Sequence, residues 1–241
     1  IYRENDFRIG ANMTTTVITG ANRGIGLEFV RHCMARGDKV IAGCRNPSDA
    51  LELSSMTPAD VLRVDVGDEE SVNEFAESID EDVDLLINNA GTSATNLGLE
   101  RSAAGVLSAP IDLTLELIRI NGLSAASVTR SLLHRFSEGS QVVNITSQIG
   151  SMVVGANFDD LPYATSKAVM NMVTVQLAAQ LRDRGVTVVA FHPGWVRTDM
   201  GGSSADIGAE ESVDGILSTM TRVGLEDSGS FLRWDGTTHP W

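Results

Sequence analysis

The feature that most constrains this chain is a short apolar strand that runs through a glycine-rich turn into a helix. Residues 16–19 read Thr-Val-Ile-Thr, the β-branched pattern of a buried strand. The turn that follows has glycines at positions 20, 24 and 26, and apolar residues recur at helical spacing from about 24 to 35. Gly37 then stops the helix. A strand that enters a helix through so tight a turn is the opening unit of an α/β fold.

The rest of the chain repeats the alternation of strand and helix. Near-continuous apolar strands of this kind are typical of a parallel sheet covered by helices on both faces. The sequence therefore predicts an α/β protein: a single-domain, Rossmann-type doubly wound sheet of about seven mostly parallel strands. We assign one dinucleotide-binding catalytic domain to 13–241 and an N-terminal extension to 1–12. Further strands are predicted at 39–43, 61–64, 84–88, 141–145, 186–191 and 230–233, and further helices near 48–55, 69–79, 112–137, 162–184 and 209–223.

The composition of the chain bears on which partners it can bind and in which cellular compartment it works. Over 241 residues the formal net charge is −14, which disfavours nucleic acid and anionic membrane surfaces. No apolar run reaches the roughly 18 residues of a transmembrane helix, and the first residues do not resemble a secretory signal. The two cysteines, Cys33 and Cys44, are too few for a disulfide framework or a zinc cluster. We expect a cytoplasmic protein without a metal.

The glycine-rich turn predicts a phosphate-binding site. Gly20 permits the tight turn, Gly24 lets the backbone approach a pyrophosphate, and Gly26 lets the helix pack closely on the strand. The helix N-terminus then offers free N–H groups and a positive dipole end to the anion. A P-loop is excluded because no Gly-Lys-Ser/Thr follows. The remaining alternative is an ordinary tight turn.

The end of the second strand bears on which dinucleotide is bound. An acidic residue there would hold the ribose 2′-hydroxyl of NAD, but residues 43–46 read Gly-Cys-Arg-Asn. Arg45, with Arg23 from the glycine-rich turn, could instead pair with a 2′-phosphate. NADP is therefore predicted over NAD. Alternatively, each arginine is a solvated surface charge.

The third and fourth strand ends complete the predicted cradle. Asp65 follows the third strand, where it can accept a hydrogen bond from the adenine amino group or, alternatively, cap the next helix. Asn88-Asn89-Ala90-Gly91 follows the fourth strand, and its small residues allow close approach to a flat ligand.

Three residues near the fifth strand predict acid–base chemistry. Tyr163 and Lys167 are four residues apart on a predicted helix, so they share one face. A cation beside a phenol favours the phenolate, so we expect a lowered tyrosine pKa and a general acid or base for a carbonyl or alcohol oxygen. Ser147, at the end of the fifth strand, would reach the same oxygen.

Together these motifs resemble the short-chain dehydrogenase/reductase family, and within it the sniffer and C-factor type of carbonyl reductase. The family motifs are Thr19-Gly20-Ala21-Asn22-Arg23-Gly24-Ile25-Gly26, Asn88-Asn89-Ala90-Gly91, Asn121, Ser147, Tyr163-x-x-x-Lys167 and Pro193-Gly194-Trp195-Val196-Arg197-Thr198. The resemblance to the branch is carried by the segment 192–202, by Phe231-Leu232-Arg233-Trp234-Asp235-Gly236 and by Pro240-Trp241.

The resemblance implies a role for each matched position. Tyr163 would donate the proton, Lys167 would hold the nicotinamide ribose and lower the Tyr163 pKa, Ser147 would bind the substrate oxygen, and Asn121 would bind a water linked to Lys167. A mobile lid is implied over about 199–212. The implied cofactor contacts are Gly20, Asn22, Arg23, Gly24, Ile25, Gly26, Arg45, Asp65, Val66, Asn88, Ala90, Gly91, Tyr163, Lys167, Pro193, Gly194, Val196 and Thr198; the implied substrate contacts are Ser147, Gln148, Tyr163 and Trp195.

These expectations define an NADP(H)-dependent oxidoreductase that interconverts a carbonyl and an alcohol by hydride transfer. The alternative is a cofactor-binding signalling or regulatory protein on the same scaffold, and a dehydratase or epimerase is a third reading. Met152, Phe158, Trp195 and Met200 favour an apolar small-molecule substrate. Homodimers or homotetramers are common in the resembling family.

Overall fold

Strands and helices alternate along the part of the chain that this computed structural model describes, residues 14–56 and 59–241. The predicted extension at 1–12 lies outside the described residues. The strands are β1 Thr15–Thr19, β2 Lys39–Cys44, β3 Asp60–Arg63, β4 Leu85–Asn88, β5 Gln141–Ile145, β6 Thr187–His192 and β7 Phe231–Arg233. The helices are α1 Gly24–Arg36, α2 Leu51–Ser54, α3 Glu69–Glu77, α4 Ile111–Leu117, α5 Ser124–Ser131, α6 Leu161–Leu181 and α7 Ala209–Met220.

The strands form one sheet in the order β3-β2-β1-β4-β5-β6-β7, and each pair is parallel. The predicted doubly wound sheet is thus confirmed, and its pairing is parallel throughout. The chain winds outward from β1 in one direction and then, from β4, in the other. The point between β1 and β4 is the topological switch point, beyond whose carboxyl ends ligands bind in such sheets.

Two apolar cores cover the faces of the sheet because successive side chains of a strand point to opposite sides. Val17 packs with α3, α5 and α6, whereas the next residue, Ile18, packs with α1 and α7. Both side chains are completely buried. This two-sided burial explains why the strands read as continuous apolar runs.

The predicted helix over 112–137 is wrong in one respect, since it is interrupted at its centre. The segment Ile118–Leu123 is a π-helix between α4 and α5, and α5 ends at Ser131. Gly122 lies in this wide turn, and a Cβ atom there would come within 2.8 Å of the Ser166 carbonyl oxygen of α6. Close packing against α6 therefore shapes the turn, which local sequence patterns cannot show.

Other boundaries differ by a few residues. The predicted helix at 48–55 is a 3₁₀ turn, Pro47–Asp49, followed by α2. Within the described ranges, no helix combines the length and apolar character needed to cross a bilayer.

Candidate active site

A cleft of about 670 Å³ follows the carboxyl ends of the strands around the switch point. Most of the predicted cofactor positions lie on its wall, together with both members of the predicted Tyr–Lys pair. The predicted positions on the wall are Gly20, Asn22, Arg23, Gly24, Ile25, Gly26, Arg45, Asp65, Val66, Ala90, Gly91, Tyr163, Lys167, Pro193 and Thr198.

The turn after β1 is built from backbone in close contact. A Cβ atom on Gly26 would lie 2.1 Å from the Gly20 carbonyl oxygen, and one on Gly20 would lie 2.7 Å from the Ala90 Cα atom. The Asn89 side-chain amide donates to the carbonyl oxygens of Thr19 and Gly20, at 3.0 and 3.1 Å. The turn is therefore held in shape by its neighbour after β4.

The N-terminus of α1 is open toward the cleft. Arg23 is its N-cap residue and makes no side-chain capping bond, and the first turn holds no acidic residue. At α3, by contrast, the Asp68 carboxylate accepts from the Glu70 amide, and Glu69 and Glu70 occupy the first turn. The amides and the positive dipole end of α1 are thus available to an anion.

Charged side chains of both signs line the far end of the cleft. Arg23 and Arg45 are exposed on its wall, and Arg23 lies 3.8 Å from an Asp199 carboxylate oxygen. Asp49 also lies on the wall, although no acid was expected near the end of β2. It is five residues past the strand, so the strand-end pattern did not include it.

Asp65 does not cap the helix that follows it. Its Oδ1 atom accepts from the Gly67 amide at 3.0 Å, and the capping residue of α3 is Asp68. The Asp65 amide donates to the Ser71 hydroxyl at 2.9 Å. The capping alternative is therefore wrong, and Asp65 remains on the cleft wall.

Tyr163 and Lys167 lie one turn apart on α6, as their spacing predicts. The Lys167 Nζ atom is 5.7 Å from the centroid of the Tyr163 ring and donates to the Ile145 carbonyl oxygen at 2.8 Å. Lys167 is buried, and burial lowers its pKa to about 8. The site thus holds a lysine whose charge is poorly solvated.

The expected lowering of the tyrosine pKa is wrong for this structure. Burial, together with the nearby Asp160 carboxylate, raises the Tyr163 pKa to about 12. Desolvation disfavours the charged phenolate. The phenol is held in its protonated form.

Asn121 is buried behind the cleft wall, in the π-helical turn. Its Oδ1 atom accepts from the Thr92 amide at 2.8 Å. Its Nδ2 atom donates to the Thr92 carbonyl oxygen and to the Ser166 hydroxyl, at 2.8 and 3.0 Å. The side chain ties the segment after β4 to α6.

Ser147 lies just past β5, outside the residues that line the cleft. It caps the short turn Gln148–Gly150, and its Oγ atom accepts from the Ile149 amide at 3.3 Å. Asn88 is buried and donates from its amide to Thr129 and Asn144, at 3.2 and 2.9 Å. The other predicted positions not found on the cleft wall are Gln148, Gly194, Trp195 and Val196.

Several wall residues escaped prediction from the sequence. Asp199 and Met200 belong to the predicted lid, and Asn89 lies within the predicted segment Asn88–Gly91. Six of the other ten immediately follow or precede predicted positions, so adjacency was the available signal for them. The wall residues outside the predicted cofactor contacts are Cys44, Asn46, Asp49, Val64, Asn89, Thr92, Asn96, Leu97, Ile120, Ile145, Thr146, Asp199 and Met200.

In this structure, a helix whose N-terminus is open to an anion and a tyrosine–lysine pair meet at the switch point of a parallel sheet. This arrangement defines the class of protein as an α/β oxidoreductase. Within that class, the chain belongs to the short-chain dehydrogenase family, whose model matches residues 14–207.

Relatives of known sequence support this membership. C-signal of Myxococcus xanthus is 37% identical over 161 residues, covering 66% of this chain and 93% of that protein. The 1-hydroxy-2-glutathionyl-2-methyl-3-butene dehydrogenase of Rhodococcus sp. is 30% identical, covering 95% of this chain and all of that protein.

Similar solved structures also support membership in this family. The NADPH-bound carbonyl reductase from chicken fatty liver has a TM-score of 0.84 at 30% identity, and carbonyl reductase Sniffer of D. melanogaster a TM-score of 0.86 at 25% identity. Each comparison covers 95% of this chain and 100% of the other. The predicted family and its sniffer and C-factor branch are confirmed.

Proposed function

We propose that the protein is an NADP(H)-dependent oxidoreductase that interconverts a carbonyl and an alcohol, with Tyr163 as general acid and base. The observation that carries the proposal is that Tyr163 and Lys167 open onto the same cleft as the glycine-rich turn and Arg45. One ligand can therefore contact the phosphate cradle at one end and the acid–base pair at the other. The similar chicken protein, a carbonyl reductase that binds NADPH, supports this reading.

The residues present fit a dinucleotide. The open N-terminus of α1 suits the pyrophosphate. Backbone atoms already occupy the position that a side chain at Gly26 would take, so the turn has its shape before a ligand binds. Arg23 and Arg45 would hold a 2′-phosphate, and Asp65 would accept from the adenine amino group. When bound, the nicotinamide supplies the hydride.

The chain's own groups move and stabilise the proton. In reduction, the Tyr163 hydroxyl donates to the carbonyl oxygen, and its raised pKa keeps that proton in place until transfer. The buried Lys167 ammonium, beside the ring, stabilises the negative charge that the phenol then gains. The Ser147 oxygen accepts from the Ile149 amide, and its hydroxyl would donate to the substrate oxygen.

The surroundings favour an uncharged, apolar carbonyl compound. Met152, Phe158, Trp195 and Met200 are all exposed apolar side chains on the segments that follow β5 and β6. The exposed Asp159, next to Phe158 in the chain, would repel an anionic substrate.

A fluorescence titration tests the cofactor. We expect Arg45→Asp to weaken NADPH binding by roughly 10-fold or more, the scale of a lost charge-assisted hydrogen bond, and to leave NADH binding unchanged or stronger. Arg63→Asp is the matched control, because this exposed arginine is the last residue of the neighbouring strand β3 and is not among the cleft residues. Equal weakening by both variants would contradict a specific 2′-phosphate contact.

A turnover assay tests the chemistry. With NADPH and an uncharged aromatic aldehyde such as nitrobenzaldehyde, we expect Tyr163→Phe to lower kcat by roughly 10²- to 10⁴-fold with unchanged NADPH affinity. A variant as active as the wild type would exclude Tyr163 as the proton donor. NADPH binding without turnover of any carbonyl would favour the regulatory alternative.

A further inference from the structure

The two hydroxyls that would act on the substrate oxygen lie on different elements of the fold. Ser147 lies just past β5, where it caps the short turn Gln148–Gly150, and Tyr163 lies in the first turn of α6. Both hydroxyls can reach one oxygen atom only if the turn after β5 is held at a fixed place on α6.

A buried asparagine of α6 binds the chain on both sides of Ser147. Asn171 lies one helical turn after Lys167. Its Oδ1 atom accepts from the Thr146 hydroxyl at 2.7 Å, and its Nδ2 atom donates to the Gly150 carbonyl oxygen at 3.1 Å. A carbonyl oxygen can only accept, so the amide nitrogen must face Gly150 and the amide oxygen must face Thr146. We call these two bonds the Asn171 clamp.

The backbone on both sides of the clamp is closely packed. A Cβ atom on Gly150 would lie 2.6 Å from the backbone of Lys167, so the end of the turn rests directly on α6. The Thr146 amide donates to the Phe191 carbonyl oxygen at 2.9 Å, which extends the pairing of β5 with β6 by one residue. The turn therefore starts on the sheet and ends on α6, and Asn171 bonds to both ends.

Hydrogen bonds inside the turn connect Ser147 to these fixed ends. The Ser147 carbonyl oxygen accepts from the Gly150 amide at 3.0 Å, and its Oγ atom accepts from the Ile149 amide at 3.3 Å. The position of the hydroxyl thus depends on where Gly150 is held. Because an unpaired buried polar group is costly, the amide of Asn171 keeps both of its bonds.

We propose that Asn171 is a positioning residue for Ser147, which sets the distance between the Ser147 and Tyr163 hydroxyls by holding the turn on α6. This inference rests on the proposed function, in which both hydroxyls act on one substrate oxygen. Asn171 is not among the residues that line the cleft, so it acts on the reaction through Ser147.

Amide hydrogen exchange tests the clamp without any substrate. Asn171→Leu keeps the approximate size of the side chain and removes both bonds, and Thr146→Val removes one of them. In both variants we expect the Ile149 and Gly150 amides to exchange roughly 10-fold faster under native conditions, the scale expected for the loss of one buried hydrogen bond. Two-dimensional NMR of the NADP⁺-loaded protein resolves these amides.

Thr174→Val is the matched control for loss of a buried hydrogen bond. Thr174 is also buried on α6, and its hydroxyl accepts from the Asn144 side chain of β5 at 2.9 Å. This variant should unfold at lower urea concentration, whereas exchange within the turn should stay as in the wild type. Thr146→Ser keeps the hydroxyl that donates to Asn171 and should restore slow exchange.

A double-mutant cycle tests the effect of the clamp on turnover. With NADPH and nitrobenzaldehyde, Asn171→Leu should lower kcat/KM by roughly 10-fold or more at unchanged NADPH affinity, because a misplacement of about 1 Å has effects of this size. Combined with Ser147→Ala, the same substitution should change kcat/KM by less than about twofold, since no hydroxyl is left to position. Thr174→Val should leave kcat/KM unchanged. Asn171→Ala provides the same comparison if the leucine variant folds poorly.

The possible failures are distinguishable. Wild-type exchange of the Ile149 and Gly150 amides in the folded Asn171 variants overturns the proposal. An equal loss of kcat/KM with and without the Ser147 hydroxyl also overturns it, since Asn171 would then act by another route. If Ser147→Ala alone is as active as the wild type, the proposed role of Ser147 is overturned instead.

Discussion

The two sides of the cleft are built differently. We call the turns after β1, β2 and β4 the nucleotide side, and the segments 147–160 and 194–207 the substrate side. On the nucleotide side, backbone packs on backbone: a Cβ atom at Gly26 would meet the Gly20 carbonyl oxygen at 2.1 Å. On the substrate side, large apolar side chains face solvent, with Met152 82% and Trp195 47% exposed.

The difference follows from what each side has to hold. A dinucleotide phosphate needs fixed amides at one spacing, which only a rigid turn supplies. A substrate pocket on loops can vary without disturbing the sheet. The nucleotide side is accordingly part of the fold, whereas the substrate side is attached to it.

The largest effect that tests this comparison comes from adding one methyl group to each side. Gly26→Ala should lower the free energy of unfolding by about 3 kcal/mol, the upper part of the usual cost of overpacking, because backbone must move. Gly155→Ala, on the substrate side, should change it by less than about 0.5 kcal/mol, since a Cβ atom there lies 3.1 Å from the Ile149 carbonyl oxygen alone. Urea denaturation measures both. Equal losses would remove the distinction between the two sides.

A smaller effect concerns His192, the last residue of β6, from which the chain enters the substrate side. Burial, together with the nearby His239 and Arg233, lowers its pKa to about 3. Among the described residues, its Nδ1 atom has no hydrogen-bond partner. The folded protein therefore excludes a proton that the unfolded chain binds below its ordinary pKa of 6.5.

The sign of the pH dependence follows. As the pH falls from about 6 toward about 4, the wild type should lose roughly 1.4 kcal/mol of unfolding free energy per pH unit relative to His192→Gln. Urea denaturation at several pH values measures the difference. His134→Gln, at an exposed position, is the control and should follow the wild-type curve. Parallel curves for the wild type and His192→Gln would show that His192 takes up its proton in the folded state.

The difference between the nucleotide side and the substrate side also explains which features could be predicted from the sequence. The sheet and the glycine-rich turn were predictable because apolar periodicity and glycine spacing are local and the backbone tolerates few alternatives. The Tyr163–Lys167 pair was predictable because a helix fixes the positions of residues four apart.

The failures depend on burial and packing in the folded chain. The π-helical turn around Asn121 arises from packing on α6, and the raised Tyr163 pKa arises from burial and from Asp160. Neither burial nor packing can be read from a motif. Ser147 and Trp195 lie on segments whose course depends on such contacts, so a motif assigns them a role but does not predict that they lie outside the cleft wall.

The smallest expected effect tests a contact that joins the two sides. Arg23, on the nucleotide side, lies 3.8 Å from Asp199, on the substrate side, and both side chains are largely exposed. An exposed pair of this kind contributes little to stability, but it would compete with the proposed 2′-phosphate contact for the same guanidinium. Asp199→Asn should therefore strengthen NADPH binding about twofold and leave NADH binding unchanged, with a larger gain at low salt.

Asp206→Asn is the matched control, since this exposed acid lies on the same segment and its carboxylate forms no ion pair with Arg23. If both variants strengthen NADPH binding equally, the gain reflects the reduced net negative charge and not the release of Arg23. If Asp199→Asn weakens binding, the ion pair orders the substrate side over the nucleotide. The two sides would then act as one unit, and the contrast between them would hold only for their construction, not for their function.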